Sequence, residues 1–349
     1  MPDRRRSYLA RAGFRVLLAA RSLSARLIAA TGIGASTLAC GVLPDGPANR
    51  SARAAEQAPS SEKPSEPETD RTTTDAKQPS TTAETNGSSP ETLYGVETQT
   101  GVAYYDGADA SKTKHTLDLY LPRDGKDFPT VLFIHGGAWI FGDKADFGVY
   151  AALGRMLAER GIGCAVANYR LSPGVKHPEH IKDVARAFAW LNRNVAKYGG
   201  RADALYVSGH SAGGHLAALL ATDASYLEAE GLKLTDVKGV APMSGVYRIP
   251  PLLFRMVFGG DDAVRRKAAP INHVSAAAPP FLIIYAERDF PYAERMATEL
   301  AKSLVNAGAI AATLAVEERN HVDILLKASR PDDPVGKALV EFVRHTPAK

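Results

Sequence analysis

Short, continuous apolar runs alternate with segments of helical period along most of this chain, and this alternation restricts the fold more than any other feature. An apolar run without polar alternation indicates a strand buried on both faces, and the helical segments between such runs supply the covering layers. The apolar runs are PTVLFIHG, CAVANY, ALYVSG, VKGVAPMSG, PFLIIYA and ATLAVEE, and helical spacing occurs near residues 146–160, 178–198, 291–305 and 333–344. We therefore expect an α/β fold with a mostly parallel central sheet and helices on both faces.

Two earlier segments, GVETQTGVAYY and HTLDLYLP, alternate apolar and polar residues and predict an antiparallel pair of strands. Residues 44–92 before them are dominated by Pro, Ser, Thr, Glu, Ala and Asp. Such a segment does not bury enough surface to offset its chain entropy. We predict a targeting segment at 1–40, a disordered linker at 41–92 and one folded domain at 93–349, which is a normal size for a single α/β domain.

The N-terminus has the composition of a targeting signal. Residues 1–26 are rich in arginine, and the uncharged stretch 27–39 is too short to span a bilayer but suits a signal peptide. Cys40 follows small residues and resembles the lipidated cysteine of bacterial lipoproteins. We therefore expect an exported protein tethered to a membrane through Cys40; a plain secretory signal or an organelle transit peptide are the alternatives.

Charge and cysteine content exclude several classes of protein. The net charge is +4, but residues 1–26 hold seven arginines and one aspartate, which leaves about −2 for the rest of the chain. The folded part is therefore not basic overall, and we predict no nucleic-acid partner. Cys164 lies in the apolar run CAVANY and is expected to be an inert core residue. No disulfide framework or metal-ligand spacing is present, so we predict neither a metal nor a cofactor.

In a parallel sheet covered on both faces, sites form beyond the carboxyl ends of the strands. One strand ends in the stretch YVSGHSAGGH, where Ser211 stands in a G-x-S-x-G pattern before a helical segment. This pattern forces the serine into a strained turn, and Gly209 and Gly213 avoid clashes on either side of it. The amide of Ala212 then points into the site at a helix N-terminus, where negative charge is favoured. We predict that Ser211 is a nucleophile.

A serine nucleophile needs a histidine base, and in sheets with this turn the acid and then the base follow the serine along the chain. Four histidines follow Ser211, and the first, His215, lies in the helical segment directly after the serine turn. His345 lies at the end of the last helical segment, and His273 precedes the strand that should carry the acid. His321 directly follows a strand, so we predict that it is the base.

The acid that orients the base should end the strand FLIIYA. Asp289 follows this strand, and Glu287 is the second candidate. Asp261 and Asp262 come too early in the chain, within an irregular segment. Asp323 follows the predicted base and is a weaker candidate. We therefore predict Asp289 as the acid of a Ser–Asp–His arrangement.

The stretch IHGGAW follows the strand at 129–134 and carries glycines that let the backbone approach an acyl oxygen and turn amide groups toward it. We expect this loop to form part of an oxyanion hole. Trp139 and Phe141 are candidates for lining a substrate pocket, although both are equally consistent with packing. The segment 246–278 is short for a lid and contains Tyr247, a third pocket candidate. We expect a small cap, and hence a small or extended substrate.

These motifs together resemble the esterase and lipase group of the α/β-hydrolase superfamily that is related to hormone-sensitive lipase. HGGAW with GHSAGG is most similar to bacterial carboxylesterases, including acetyl-xylan and feruloyl esterases, and to arylformamidases. NYRLSP at 168–173, YGG at 198–200 and PPFLIIYAERD at 279–289 also match this group. The resemblance covers about residues 95–349.

The resemblance implies an α/β-hydrolase fold with Ser211 as nucleophile, Asp289 as orienting acid and His321 as base. It also implies backbone donors for the oxyanion, which are Gly137, Ala138 and Ala212, with Gly136 shaping the turn. The motif reads HGGA where lipases of the group commonly have HGGG. Because the donors are backbone amides, an alanine retains the donor.

We predict a serine carboxylesterase that acts on a small ester. An arylformamidase or another amidase with the same residues is an alternative, because one fold serves many substrates. A hydrolase-like binding module without activity is a second alternative. The intact order of Ser211, Asp289 and His321 argues against it, because such a module has no need to keep all three. The sequence does not predict an oligomeric state.

Overall fold

The computed structural model describes residues 93–251 and 254–346. The predicted targeting segment, the predicted linker and Cys40 lie outside these residues. Within the two described ranges, no helix combines the length and the apolar composition that crossing a bilayer requires.

The strands form one eight-stranded sheet in the order β1-β2-β4-β3-β5-β6-β7-β8. Their bounds are β1 Val96–Ala103, β2 Thr116–Pro122, β3 Phe128–Ile134, β4 Gly163–Ala167, β5 Gly200–His210, β6 Val237–Met243, β7 Phe281–Arg288 and β8 Ala311–Asn320. Strand β2 pairs antiparallel with β1 and β4, and all the other pairs are parallel. The predicted antiparallel pair and the mostly parallel sheet are both confirmed.

Helices connect the strands and cover the sheet. Those described are α1 Val149–Glu159, α2 Glu179–Asn194, α3 Ala212–Leu220, α4 Ala224–Glu228, α5 Arg255–Phe258, α6 Asp262–Lys267, α7 Ala293–Asn306, α8 Asp323–Leu326 and α9 Pro334–His345. Short 3₁₀ turns occur at Asp146–Gly148, Val195–Tyr198, Leu234–Asp236 and Pro270–His273.

The two faces of the sheet are buried under different helices, because successive residues of a strand point to opposite sides. In β3, Leu132 and Ile134 pack in one core with side chains of α2, α3 and α7, whereas Val131 and Phe133 pack in the other with α1 and α9. This explains why the run VLFI of β3 is apolar at successive positions. Cys164 of β4 lies in the second core, where burial raises the pKa of its thiol to about 12. A thiol in this environment is unreactive.

The order in which strands are added to the sheet changes side at β3. The strand that follows β3 in the chain, β4, lies on one side of it, and the next, β5, lies on the other. Strands β3 and β5 are therefore neighbours, with Ile134 paired to Gly209. The crevice at the carboxyl ends of two such strands is the usual place for a ligand in an open α/β sheet. The loops that carry HGGAW and Ser211 begin at these two strand ends.

The segment predicted to form a small cap contains α5, α6 and the turn Pro270–His273. It packs on the loop that follows β3, since the rings of Phe254 and Phe258 lie 5.1 and 5.0 Å from the ring of Trp139. The His177 amide also donates to the carbonyl of Val257 at 2.9 Å. The segment therefore lies at the carboxyl edge of the sheet, against the predicted oxyanion loop.

Candidate active site

Ser211 occupies the sharp turn between β5 and α3. Its backbone has φ 57° and ψ −117°, a conformation that is costly for a residue with a side chain. The turn is held by hydrogen bonds on both sides: the Ser211 amide donates to the Met243 carbonyl at 2.9 Å, and the His215 amide donates to the Ser211 carbonyl at 3.0 Å. These bonds offset part of the strain and fix the direction of the hydroxyl.

The glycines around Ser211 are required by close backbone contacts, as the sequence predicts. A Cβ atom at Gly213 would lie 2.0 Å from the carbonyl oxygen of Ile134, and one at Gly209 would lie 2.5 Å from the carbonyl oxygen of Gly213. Both neighbours are backbone atoms, one in β3 and one in the first turn of α3, and have little freedom to move. Side chains at these two positions would push α3 away from β3 and β5.

The structure brings Ser211, His321 and Asp289 together from three separate strand ends. His321 Nε2 lies 3.0 Å from the Ser211 hydroxyl oxygen, and His321 Nδ1 lies 2.7 Å from Asp289 Oδ1. Asp289 follows β7 and His321 follows β8, so each side chain enters the site from a loop at the same edge of the sheet. In this arrangement the serine proton can pass to an imidazole whose far side is held by a carboxylate.

The Asp289 carboxylate is almost fully shielded, with 3% of the side chain exposed. Burial alone would raise its pKa, but hydrogen bonds from His321 and Ser244 outweigh this effect and hold the pKa below its usual value. The amides of Ala286 and Phe290 also donate to it, at 3.1 and 2.8 Å. The group is therefore an anion at neutral pH with both oxygens engaged.

Two residues that sequence reasoning did not identify support this arrangement. Ser244, directly after β6, donates its hydroxyl to Asp289 Oδ2. His210, the residue before Ser211, is buried, and its Nε2 lies 2.7 Å from the carbonyl oxygen of His321. Burial lowers the pKa of His210 to about 4, so the ring is neutral and Nε2 carries the donated proton. Ser244 in the stretch MSG and His210 in GHSAGG were both visible in the motifs, but their partners are distant in sequence.

The loop after β3 carries an unusual backbone. Gly137 has φ 113°, and Ala138 and Trp139 have φ 51° and 61°. The carbonyl of Gly137 accepts hydrogen bonds from the amides of Ile140 and Phe141, both at 3.0 Å. A tight turn of this kind directs successive amides to one side, which suits anion binding.

The four predicted oxyanion residues fall into two groups. The Gly136 amide donates to the hydroxyl of Tyr150 at 3.1 Å, so it is occupied, and Gly136 shapes the loop beside Ser211. By contrast, the amides of Gly137, Ala138 and Ala212 donate no hydrogen bond within the described residues. Ala212 is the first residue of α3, where the helix dipole adds to the attraction for an anion.

The predicted pocket residues have different environments. Trp139 is 1% exposed, and its indole Nε1 donates to Nδ1 of His215 at 3.2 Å, so it packs in the core instead of lining a pocket. Tyr247 is likewise 1% exposed and packs in the same core. For both aromatic residues, this burial favours the packing interpretation that the sequence also allows. Phe141 is 65% exposed, and its ring approaches Gly137, so it remains a candidate.

The alternative acids and histidines have partners elsewhere. Glu287 accepts from the Glu318 amide at 2.8 Å, and Asp323 pairs with Lys327 at 3.1 Å. His273 bonds to the Lys267 carbonyl, and His345 to the Glu341 carbonyl. Asp261 caps α6 through the Ala263 amide, and Asp262 pairs with Arg265. In the described part of the chain no cluster of His, Cys, Asp and Glu has the geometry of a metal site.

The sheet order, the strained serine turn and the Ser–His–Asp contacts are those of an α/β hydrolase. The BD-FAE family model matches residues 117–245, a range that includes the loop after β3 and the serine turn. Esterase LipQ of Mycobacterium tuberculosis is 31% identical over 250 residues, which cover 66% of this chain and 59% of that protein. Esterase LipC of the same organism is 38% identical over 194 residues, which cover 50% of this chain and 48% of that protein.

A probable isoprenylcysteine alpha-carbonyl methylesterase of Oryza sativa is 32% identical over 239 residues, which cover 61% of this chain and 56% of the rice protein. The chain therefore spans about half to three-fifths of the length of these curated relatives.

Solved structures agree with the fold. A truncated carbohydrate esterase from gut microbiota has a TM-score of 0.61 and 22% identity, covering 76% of this chain and all of that one. Esterase B from Lactobacillus rhamnosis has a TM-score of 0.59 and 25% identity, covering 71% of this chain and 84% of that one. The fold is that of the α/β hydrolases, and the chain is similar in sequence to esterases.

Proposed function

We propose that this protein is a carboxylic ester hydrolase that works through an acyl-enzyme on Ser211. The observation that carries the proposal is the continuous contact from the Ser211 hydroxyl through His321 to Asp289, with distances of 3.0 and 2.7 Å. The similarity to several esterases supports the reaction class. The names of these three give no ester, and the rice methylesterase and the carbohydrate esterase differ in the kind of ester they name, so the comparisons support ester hydrolysis more strongly than any particular substrate.

In the first half of the reaction the Ser211 oxygen attacks the ester carbonyl carbon while His321 Nε2 takes the hydroxyl proton. The carbonyl electron pair moves onto oxygen, and the free amides of Gly137, Ala138 and Ala212 stabilise that charge. When the tetrahedral intermediate collapses, the bond to the alcohol oxygen breaks. The leaving alcohol takes the proton from His321, and the acyl group stays on Ser211.

In the second half, water attacks the acyl carbon and gives its proton to His321. The intermediate collapses, Ser211 recovers the proton, and the carboxylic acid leaves. Asp289 stays ionised throughout. It keeps His321 Nδ1 protonated, so that Nε2 remains the acceptor, and it stabilises the imidazolium that forms in each half. The low pKa of Asp289 suits this role.

Ester turnover by the full chain is tested with a panel of p-nitrophenyl esters, acetylated sugars and N-formylkynurenine. We expect hydrolysis of small esters and a loss of several orders of magnitude in Ser211→Ala, with folding retained. An organophosphonate should label Ser211 in the wild type and leave the alanine variant unlabelled.

Turnover that survives in Ser211→Ala would refute the mechanism. Preferential hydrolysis of N-formylkynurenine would instead assign the same residues to an amidase.

A further inference from the structure

A cavity of about 410 Å³ is lined in part by residues that closely follow Ser244 and Asp289 in the chain, and it takes no part in the mechanism above. It is bounded by the loop after β6, by α6 and by the first turns of α7. This volume falls in the range of small-molecule sites in proteins. The charged side chains that line it are Arg248, Arg265, Arg266, Arg295, Asp262 and Glu299.

Two of these arginines are held in place by one carboxylate. Arg248 donates its Nε to Glu299 Oε2 at 3.0 Å, and Arg295 donates its Nε to Glu299 Oε1 at 2.9 Å. Both bonds use Nε, and within the described residues no hydrogen bond joins the terminal Nη groups of either guanidinium to protein. Glu299 thereby holds both guanidiniums in the lining of the cavity, and planar carboxylates are well matched to such forked donors.

The cavity carries net positive charge. Four arginines face two carboxylates, which leaves a charge of +2, and Arg266 is exposed with no ion pair among the residues that the structure describes. The rest of the lining includes the apolar residues Ile249, Pro250, Pro251, Ala269 and Met296. An occupant that matches both kinds of lining has a carboxylate joined to an apolar part.

The cavity is connected to the proposed active site by two short stretches of chain. Tyr292 at its rim lies three residues after Asp289, and Phe290 between them packs on the His321 ring at 5.2 Å. Arg248 lies four residues after Ser244, the hydroxyl donor to Asp289. Two parts of the cavity lining are therefore formed by chain segments that directly follow Ser244 and Asp289, at the same edge of the sheet.

We propose that this cavity binds a carboxylate that an ester substrate carries at a distance from the scissile bond. The proposal rests on the proposed ester hydrolysis and narrows its substrates to anionic esters. The charge of the cavity attracts such a substrate, and the guanidiniums of Arg248 and Arg295 bind its carboxylate while its apolar part contacts the apolar lining residues.

Binding is measured by calorimetry on the full chain carrying Ser211→Ala, with benzoate and benzyl alcohol as probes of matched shape. We expect benzoate to bind at least about tenfold more tightly, because hydrogen bonds to charged groups contribute more than neutral ones. Added Arg248→Gln or Arg295→Gln should remove that advantage. Arg201→Gln is the matched control, because Arg201 is also an exposed arginine paired with a carboxylate, that of Asp203. Arg201 lies at the start of β5, whereas Ser211 follows the end of that strand.

Turnover is measured in the wild-type background with 3-carboxyphenyl acetate against phenyl acetate, and with mono-p-nitrophenyl glutarate against p-nitrophenyl pentanoate. We expect one anionic ester to have at least about a tenfold higher kcat/KM than its neutral partner. Arg248→Gln and Arg295→Gln should remove this preference, and Arg201→Gln should keep it.

Equal binding of benzoate and benzyl alcohol would overturn the proposal, as would hydrolysis of all four esters without preference for either anionic one. A preference that both arginine variants retain would also overturn it. Absence of hydrolysis for all four esters would refute the proposed function itself, and the benzoate result alone would then decide whether the cavity binds carboxylates.

Discussion

Replacing Asp289 by asparagine tests the proposed mechanism at the residue whose surroundings the structure defines most fully. Oδ1 accepts from His321 and from the Phe290 amide, and Oδ2 accepts from Ser244 and from the Ala286 amide. An asparagine has one oxygen and one NH₂ group. Whichever way it turns, its NH₂ meets a backbone amide that also donates, so one buried donor loses its partner.

This mismatch should reduce both stability and activity. An unsatisfied buried donor costs about 1–3 kcal/mol of folding free energy, which corresponds to about 2–4 °C of melting temperature per kcal/mol in a domain of this size. An NH₂ group facing His321 also favours the tautomer in which Nε2 carries the proton. In a Ser–His–Asp hydrolase this change lowers kcat about 10⁴-fold, or by about 5 kcal/mol.

The assay is ester turnover of purified Asp289→Asn at a temperature well below its melting transition, with thermal unfolding measured on the same preparation. Glu287→Gln is the control, because Glu287 ends the same strand but accepts only from the exposed Glu318 amide. We expect less than a twofold change for the control. If Glu287→Gln loses more turnover than Asp289→Asn, the acid has been assigned to the wrong residue.

The remaining predictions concern pH and the N-terminus. Burial lowers the pKa of His135 and His210 to about 4 and that of His215 to about 3. The unfolded chain, with histidine pKa values near 6.5, binds more protons than the folded chain below that pH. The contribution of these neutral rings to the free energy of unfolding is therefore fully present above about pH 6.5 and is lost as the pH falls toward 4. Melting temperatures measured from pH 8 to 4.5 should show this fall, and a flat profile between pH 7 and 5 would contradict it. We also propose that Cys40 carries a lipid; Cys40→Ser should abolish labelling by palmitate in a bacterial host and leave turnover in detergent unchanged, whereas an unlabelled wild type would exclude the lipid.

The succession of strands along the chain and the residues at their ends could be predicted because both depend on local patterns. Apolar runs mark the buried strands, and the residue that follows each run lies at the edge of the sheet. Ser211, Asp289 and His321 were identified by this rule, and the structure places them in contact. Strand limits were less accurate: β5 begins at Gly200, although the apolar run begins at Ala204, because pairing with β3 extends through polar residues.

Contacts between distant parts of the chain could not be predicted. The sequence does not show whether an aromatic residue in a loop points inward or outward. It therefore gives the buried Trp139 and Tyr247 the same pocket interpretation as the exposed Phe141. It also does not show that His210 donates to a carbonyl 111 residues later, or that Ser244 reaches Asp289. A contact between two residues that are far apart in the chain produces no periodic pattern in a single sequence. The role of such a side chain therefore cannot be predicted from periodicity.

The indole of Trp139 mechanically couples two parts of the molecule. It stands between Phe254 and Phe258 of the cap and donates to His215, whose Nε2 in turn lies 2.7 Å from the Ala268 carbonyl at the end of α6. The amide of Ala138, a proposed oxyanion donor, directly precedes this anchored residue. A displacement of the cap large enough to widen the site would therefore pull on the oxyanion loop. Substrates that fit without moving the cap would keep the donors aligned, and bulkier ones would react slowly even when they bind.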